Sequence, residues 1–221
     1  MRNTDASTAD VDQRDDCLMT KLETHEMNRG AFTRIAMTLG LSAAVCPLAA
    51  LGLPESAMAA GSVTQTPLRL HNPNTKERYD IQLFQGSQWN RMGILSCDWM
   101  MRDWRENQTV QCDRKLYAAL YVIQRKFGVV SPISVNSGFR SVKTNAMLRG
   151  RSIERNGGAS WETPAVNSQH CKARAVDFKV PGVEPRMVSA FVESLQMGGT
   201  GNYPTFTHMD TGSVRRWGPK P

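Results

Sequence analysis

Three residues in the second half of the chain have the types and spacing of ligands to a catalytic zinc ion. Such an ion takes three protein ligands and keeps one position open for water. In SQHCKARAVD, His170 precedes Asp177 by seven positions, enough chain for a loop to turn the histidine toward an aspartate on the following strand. In FTHMD, His208 and Asp210 stand two apart on a predicted strand, so both point to one face.

Each pair alone is weak evidence, because a histidine near an aspartate is more often a hydrogen-bonded structural pair. A serine or cysteine hydrolase is the competing enzyme class, since Ser137, Ser168 and Cys171 lie near His or Arg in the sequence. No nucleophile elbow accompanies them, which disfavours that class. Cys171 could also replace a ligand or be oxidised, but burial is favoured because the histidine-aspartate-histidine set is already complete.

The elements that must position these residues follow from apolar periodicity. An alternating pattern predicts a β-hairpin over 62–88. Helical spacing predicts helices over 89–107, 113–127, 141–150 and 185–197. Short strands are predicted over 133–139, 175–180 and 205–212, a surface loop over 150–163, and a glycine turn over 198–201.

Seven short motifs resemble those of a known peptidase family. They are SGFRS at 137–141, TNA at 144–146, SQH at 168–170, AVD at 175–177, GGTGNYP at 198–204, THMDTG at 207–212 and RRWG at 215–218. From about residue 99 to 218 the chain resembles zinc peptidases of the lysostaphin, D-Ala-D-Ala metallopeptidase and Hedgehog type. The resemblance is closest to the murein endopeptidase K group.

This resemblance implies an α+β fold, in which a small antiparallel sheet carries the zinc site and helices pack around it. It implies hydrolysis of peptide cross-links in bacterial peptidoglycan, at D-amino-acid bonds. Two alternatives stay open: a D-Ala-D-Ala carboxypeptidase, and a non-catalytic, zinc-containing protein that binds the cell wall.

Motif positions also imply residue roles. His170, Asp177 and His208 become the Zn²⁺ ligands, and Arg140 becomes the residue that steadies a carbonyl or carboxylate oxygen of the substrate. As a permanent cation, Arg140 can also stabilise the oxyanion that forms, and a surface or salt-bridging arginine is the alternative. The motif residues Ser137, Asn145 and Ser168 are predicted to bind substrate.

Two positions depart from the family pattern. Relatives place an acidic residue three positions before the last histidine, but this chain has Thr205, which cannot titrate usefully. Asp210 is therefore predicted to be either the general base or the group that orients the water or a ligand. Ala173 stands where relatives carry glycine, so a positive φ there would be strained.

The N-terminal residues predict export. Residues 1–26 form a polar, acidic extension predicted to be disordered, and 27–59 combine Arg29 and Arg34, an apolar stretch over 35–53 and an Ala-Met-Ala cleavage pattern ending at Ala59. RGAFTR resembles a twin-arginine motif, with Gly30 in place of the second arginine. A retained membrane anchor is the alternative. Either outcome places a peptidase domain over 60–221 in the periplasm or cell envelope.

The net charge and the cysteine content of the chain restrict which partners and which disulfides are expected. Beyond residue 60 the chain has 22 basic and 12 acidic residues, which favours an anionic partner. The basic residues are scattered rather than interleaved with aromatics, which weakens the case for nucleic acid. Charge alone does not choose between nucleic acid, a carboxylate-rich polymer and an ordinary solvated surface, and peptidoglycan peptides are the partner that the resemblance implies. The domain is predicted to be a monomer. Cys97 and Cys112 could form a local disulfide or stay as two buried thiols.

Overall fold

The fold of the described residues is built on a mixed sheet of seven strands. The computed structural model describes residues 66–219 of the chain. Its main strands are β1 Leu68–His71, β2 Arg78–Ile81, β5 Ile133–Ser137, β6 Ala175–Lys179, β7 Gly199–Asn202, β8 Thr207–Asp210 and β9 Arg215–Trp217. From edge to edge, the strands of this sheet lie in the order β2-β1-β5-β6-β8-β7-β9. Strands β3 Phe84–Gln85 and β4 Gln88–Trp89 form a separate pair. The helices are α1 Arg91–Met100, α2 Arg114–Phe127, α3 Val142–Asn156 and α4 Pro185–Leu195.

The middle of the sheet is antiparallel, and this part carries the predicted ligands. Strands β5, β6, β8 and β7 pair antiparallel in that order, with Asp177 of β6 directly opposite His208 of β8. The outer pairs β1 with β5 and β7 with β9 are parallel. The α+β class is therefore confirmed, while the sheet is larger than expected and mixed rather than wholly antiparallel.

Helix α2 supplies much of the core through the apolar stripe seen in the sequence. Leu116, Leu120 and Ile123 are fully buried. The helix begins at the N-cap Asp113, whose carboxylate accepts from the Lys115 N–H, and ends at Gly128 in the left-handed conformation. These signals explain why its bounds lie within one residue of the predicted range.

Other boundaries differ for local reasons. The first helix ends at Met100 because the chain then forms turns closed by the bridge between Asp103 and Gln108. Helix α3 extends to Asn156, through half of the predicted surface loop, and its C-cap is Gly157 with a φ of 64°. The predicted glycine turn is instead strand β7, whose residues are all buried.

The cysteines are unbonded in the described structure. Cys97 and Cys112 are both buried thiols, and Cys171 is half-buried. Burial is the main cause that raises the pKa of Cys112 to about 12, so this thiol is inert near neutrality.

The predicted N-terminal extension over 1–26 and export segment over 27–59 lie outside the described residues. Within 66–219, no helix has the length and apolar character needed to cross a membrane.

Candidate metal centre

Strand register brings two of the predicted ligands together. Asp177 and His208 are direct partners on the antiparallel strands β6 and β8, so their side chains leave the same face of the sheet as neighbours. His170 arrives from the 3-10 turn Gln169–Lys172 that precedes β6. The N-cap Ser168 stabilises this turn by accepting from the His170 backbone N–H at 3.3 Å.

Three donor atoms converge in this buried cluster. His208 Nδ1 lies 2.8 Å from Asp177 Oδ1, and His170 Nε2 lies 3.3 Å from both of these atoms. All three residues are buried, and one ligand atom from each lies within 4.8 Å of the others. Two imidazole nitrogens and one carboxylate oxygen form a donor set that suits a catalytic divalent metal.

The outer nitrogen of His170 is held by the backbone. Nδ1 donates to the carbonyl oxygen of Gly138 at 2.6 Å, which leaves the Nε2 lone pair for the cluster. Gly138 also has to be glycine, because a Cβ there would lie 2.4 Å from the carbonyl oxygen of Met101. The glycine of SGFRS thus allows the close packing that orients the first histidine.

The outer nitrogen of His208 is held by a carboxylate. Nε2 donates to Asp210 Oδ2 at 3.1 Å, which directs Nδ1 toward the cluster. Asp210 is fully buried and forms an ion pair with Arg215. Its Oδ1 also accepts from the backbone N–H groups of Gly199 and Gly212, at 3.0 and 2.8 Å. Both carboxylate oxygens are therefore engaged, on the side of the imidazole remote from Nδ1.

Electrostatics set the protonation states in the cluster. Burial is the main cause that lowers the pKa of His170 to about 4, and the Arg140 charge adds to it. Burial alone would raise the pKa of Asp177, but His170 and Arg140 hold it well below its usual range. Burial would likewise lower the pKa of His208, but hydrogen bonds with Asp177 and Asp210 outweigh it and raise the pKa. His170 and Asp177 are therefore already in the ligand forms, neutral and ionised.

Arg140 lies against the same cluster. Its Nη2 donates to Asp177 Oδ2, its Nε donates to Ser137 Oγ at 2.7 Å, and its backbone N–H donates to the His170 carbonyl at 3.2 Å. The structure thus brings Arg140 against two of the predicted ligands, Asp177 and His170.

The predicted substrate-binding residues support the frame of this centre. Ser137 positions the Arg140 side chain, and Ser168 caps the turn that carries His170. Buried Asn145 donates to the carbonyl oxygen of Ala165, which fastens the loop that follows α3. Ala173 has a φ of 56° at the end of the 3-10 turn, in the left-handed region that glycine adopts without strain and a residue with a Cβ does not.

Sequence reasoning assigned no role to two residues that contact the centre. The ring centroids of Trp217 and His208 lie 4.9 Å apart, and Arg215 forms an ion pair that neutralises Asp210. Both belong to strand β9, which the sequence did not predict. The sequence signal for these two residues was the RRWG motif, which could be recognised only through its resemblance to the family.

Comparison with known proteins gives the family of this chain. The sequence model of the peptidase family Peptidase_M15_2, described as peptidoglycan L,D-endopeptidase MepK, matches residues 60–217. The probable peptidoglycan L,D-endopeptidase MepK of Haemophilus influenzae is 37% identical over 169 residues, which cover 75% of this chain and 86% of the relative. The peptidoglycan L,D-endopeptidase MepK of Escherichia coli (strain K12) is 32% identical over 173 residues, covering 77% and 90%. The chain therefore belongs to the Peptidase_M15_2 family of metallopeptidases.

Proposed function

We propose that this chain is a zinc-dependent endopeptidase that hydrolyses L,D bonds in the peptide cross-links of bacterial peptidoglycan. The observation that carries the proposal is the convergence of three buried donors, His170, Asp177 and His208, beside the Arg140 guanidinium. Relatives named as peptidoglycan L,D-endopeptidases supply the bond type.

The donor set fits zinc. His170 and His208 each use one nitrogen for an outer hydrogen bond and turn the other inward, as metal-bound imidazoles do. With Asp177 they make three ligands, which leaves a position for water and substrate. Zinc held there would supply Lewis acidity, which activates water and polarises the scissile carbonyl.

Arg140 is proposed to stabilise the oxyanion formed on the substrate. A guanidinium has five N–H donors, and its bonds to Ser137 and Asp177 fix its plane without using all of them. Its charge is permanent at any relevant pH, so it can serve a developing oxyanion without proton transfer. The bond to Asp177 also restrains one of the ligands.

Asp210 is proposed to orient His208 rather than to act as the general base. A general base must reach the attacking water, directly or through one other water. Asp210 instead lies on the remote side of His208, with both oxygens engaged by Arg215, His208 and two backbone N–H groups. This environment lowers its pKa, despite the burial that would raise it.

The peptidase domain is proposed to work outside the cytoplasm. The export segment over 27–59 and cleavage after Ala59 remain predictions, and they are consistent with a family match that begins at residue 60. A retained anchor would tether the same domain to the membrane. Since all three donors come from one chain, a monomer suffices for the centre.

Digestion of purified sacculi tests the proposed function. The domain over 60–221 is incubated with sacculi, with and without a chelator, and the products are separated and identified by mass spectrometry. We expect chelator-sensitive loss of L,D cross-linked dimers, with Asp177→Ala as the inactive control. Release of terminal D-alanine alone would indicate the carboxypeptidase, and zinc binding without any product would indicate the non-catalytic protein.

A further inference from the structure

A chain of aromatic contacts connects a surface loop to the metal centre. The Trp161 ring stacks on Tyr203 with centroids 5.3 Å apart. Tyr203 in turn accepts a hydrogen bond from Trp217, whose ring lies 4.9 Å from that of His208. None of these three aromatic residues has a role in the function proposed above.

The phenol of Tyr203 is held rigidly. Trp217 Nε1 donates to Tyr203 Oη at 3.0 Å, and the Phe206 ring stacks on Tyr203 at 4.3 Å, nearly parallel. Trp217 itself is seated over Gly201, where an added Cβ would lie 2.7 Å from the indole. Because the phenol oxygen accepts from Trp217, its own hydrogen can rotate toward a further acceptor.

The loop carrying Trp161 is fastened to helix α3. Asn145 Nδ2 donates to the Ala165 carbonyl at 3.0 Å, and Arg149 Nη1 donates to the Pro164 carbonyl at 2.7 Å. Trp161 nevertheless keeps 48% of its surface exposed. An exposed indole on an anchored loop presents an apolar surface with little ordering cost on binding.

The Tyr203 phenol is linked to the metal centre through Trp217, whose indole lies beside the His208 ring. Burial is the main cause that raises its pKa, the Trp217 hydrogen bond opposes this effect, and the nearby negative charge of Asp177 raises the pKa further. The phenol is therefore protonated and able to donate, within electrostatic reach of a metal ligand.

We propose that Tyr203 contacts the substrate, donating its phenolic hydrogen to a carbonyl or carboxylate oxygen of the peptide bound across the metal centre, while the exposed Trp161 ring forms an apolar surface beside that peptide. The inference rests on the proposed function, because it takes a cross-linked peptide as the occupant. Such a peptide offers oxygen acceptors along its backbone, and its anionic carboxylates suit a domain with an excess of basic residues.

The test separates the hydroxyl from the ring. Tyr203→Phe keeps the stacking surface and removes the O–H, while Trp161→Ala removes the exposed indole. Tyr79→Phe is the matched control, because Tyr79 is exposed on β2 at the opposite end of the sheet from β7 and β9. Each protein is assayed for kcat and KM on a purified cross-linked muropeptide dimer, for zinc content, for Tm, and for calorimetric binding of the same dimer after chelation.

We expect Tyr203→Phe to lower kcat/KM by about 5- to 50-fold, the range for losing one hydrogen bond to a neutral or charged acceptor. Zinc content should stay at the wild-type value, and dimer binding to chelated protein should weaken. Trp161→Ala should weaken the same binding, and Tyr79→Phe should change nothing.

Other results would overturn the inference. A kcat/KM within twofold of wild type for Tyr203→Phe would exclude the contact, and parallel losses of zinc, Tm and activity would indicate a structural role instead. Should Tyr203→Phe fold poorly, unchanged binding of the dimer by chelated Trp161→Ala would still overturn the inference. A wild-type protein that does not cleave the dimer would overturn the proposed function, whereas cleavage that ignores Tyr203 and Trp161 would overturn only this inference.

Discussion

The Asp210 carboxylate accepts a hydrogen bond from His208 Nε2 at 3.1 Å, on the side of the imidazole remote from the donor cluster. The two residues stand on the same face of β8, and Arg215 neutralises Asp210 from β9. This bond fixes which nitrogen of His208 faces Asp177. The orientation of the predicted ligand His208 therefore depends on a residue outside the predicted ligand set.

Substitution of Asp210 is expected to weaken zinc binding. Loss of an outer carboxylate from a metal-bound histidine lowers metal affinity by about 10- to 100-fold. We expect this loss for Asp210→Ala and a smaller one for Asp210→Asn, whose amide oxygen can still accept from His208. Competition with a chromophoric chelator measures the affinity, and circular dichroism checks folding.

Asp80→Asn on the exposed strand β2 provides the control, with unchanged affinity expected. If Asp210→Asn kept the parental zinc affinity but lost turnover, Asp210 would be a base rather than an orienting residue.

Arg140→Lys is expected to lower kcat by about 10²- to 10³-fold, the usual cost of removing one oxyanion donor. Lysine retains a charge but lacks the planar fork that binds Ser137 and Asp177 together. Steady-state kinetics on a cross-linked muropeptide measures the effect. Arg78→Lys on the exposed strand β2 is the matched substitution and should leave kcat unchanged. Parental kcat in Arg140→Lys would remove Arg140 from the oxyanion role.

The sequence singled out the three candidate ligands because each stands within a recognisable motif. His170, Asp177 and His208 appear with recognisable neighbours, and the alternation around His208 predicted the strand that presents it. The structure brings these three residues together. The pairing of the strands could not be predicted from the sequence, because only the fold places β6 beside β8.

Strands β7 and β9 were not predicted from the sequence, for a different reason. Strand β7 is rich in glycine, which ordinarily indicates a turn. Here Gly199 and Gly201 are required by what packs against them, the Asp210–Arg215 pair and the Trp217 indole. A close approach between distant residues leaves no periodic signal, so β7, β9 and the Tyr203 contacts emerged only from the structure.

Zinc removal is expected to abolish activity and lower Tm, and zinc affinity is expected to fall with acid. The pKa of His208 is raised above its ordinary value of 6.5 by Asp177 and Asp210, against the lowering effect of burial. In the metal-free protein, the His208 proton therefore stabilises the fold below about pH 6.5, and this contribution is lost as the pH rises through the raised pKa. Zinc must displace that proton.

Calorimetry in buffers with different ionisation heats measures the proton release. We expect zinc binding to release the His208 proton below the raised pKa of this residue, and the release to decline at higher pH as His208 loses its proton beforehand. Since the pKa of His170 is lowered to about 4, His170 should contribute no proton in this range. Zinc affinity that stays constant from about pH 6 to 8 would contradict this competition.

Gly199→Ala is expected to damage the metal centre without changing a polar side chain. An added Cβ would lie 2.5 Å from Asp210 Oδ2 and 2.6 Å from Arg215 Nη1, closer than carbon atoms approach such groups. The carboxylate must move, and forced overpacking of this kind costs about 1 to 3 kcal/mol of the unfolding free energy. Because Asp210 orients His208, zinc affinity should fall with stability.

Gly150→Ala is the matched control, since it makes the same substitution inside α3, where no atom would lie within 4 Å of the new Cβ. Alanine favours a helix interior over glycine by about 1 kcal/mol, so this variant should gain stability and keep its zinc affinity. Urea unfolding and chelator competition on both variants give the comparison. Equal zinc affinity in the two proteins would mean that the position of Asp210 does not control His208, and the orienting role would have to be abandoned.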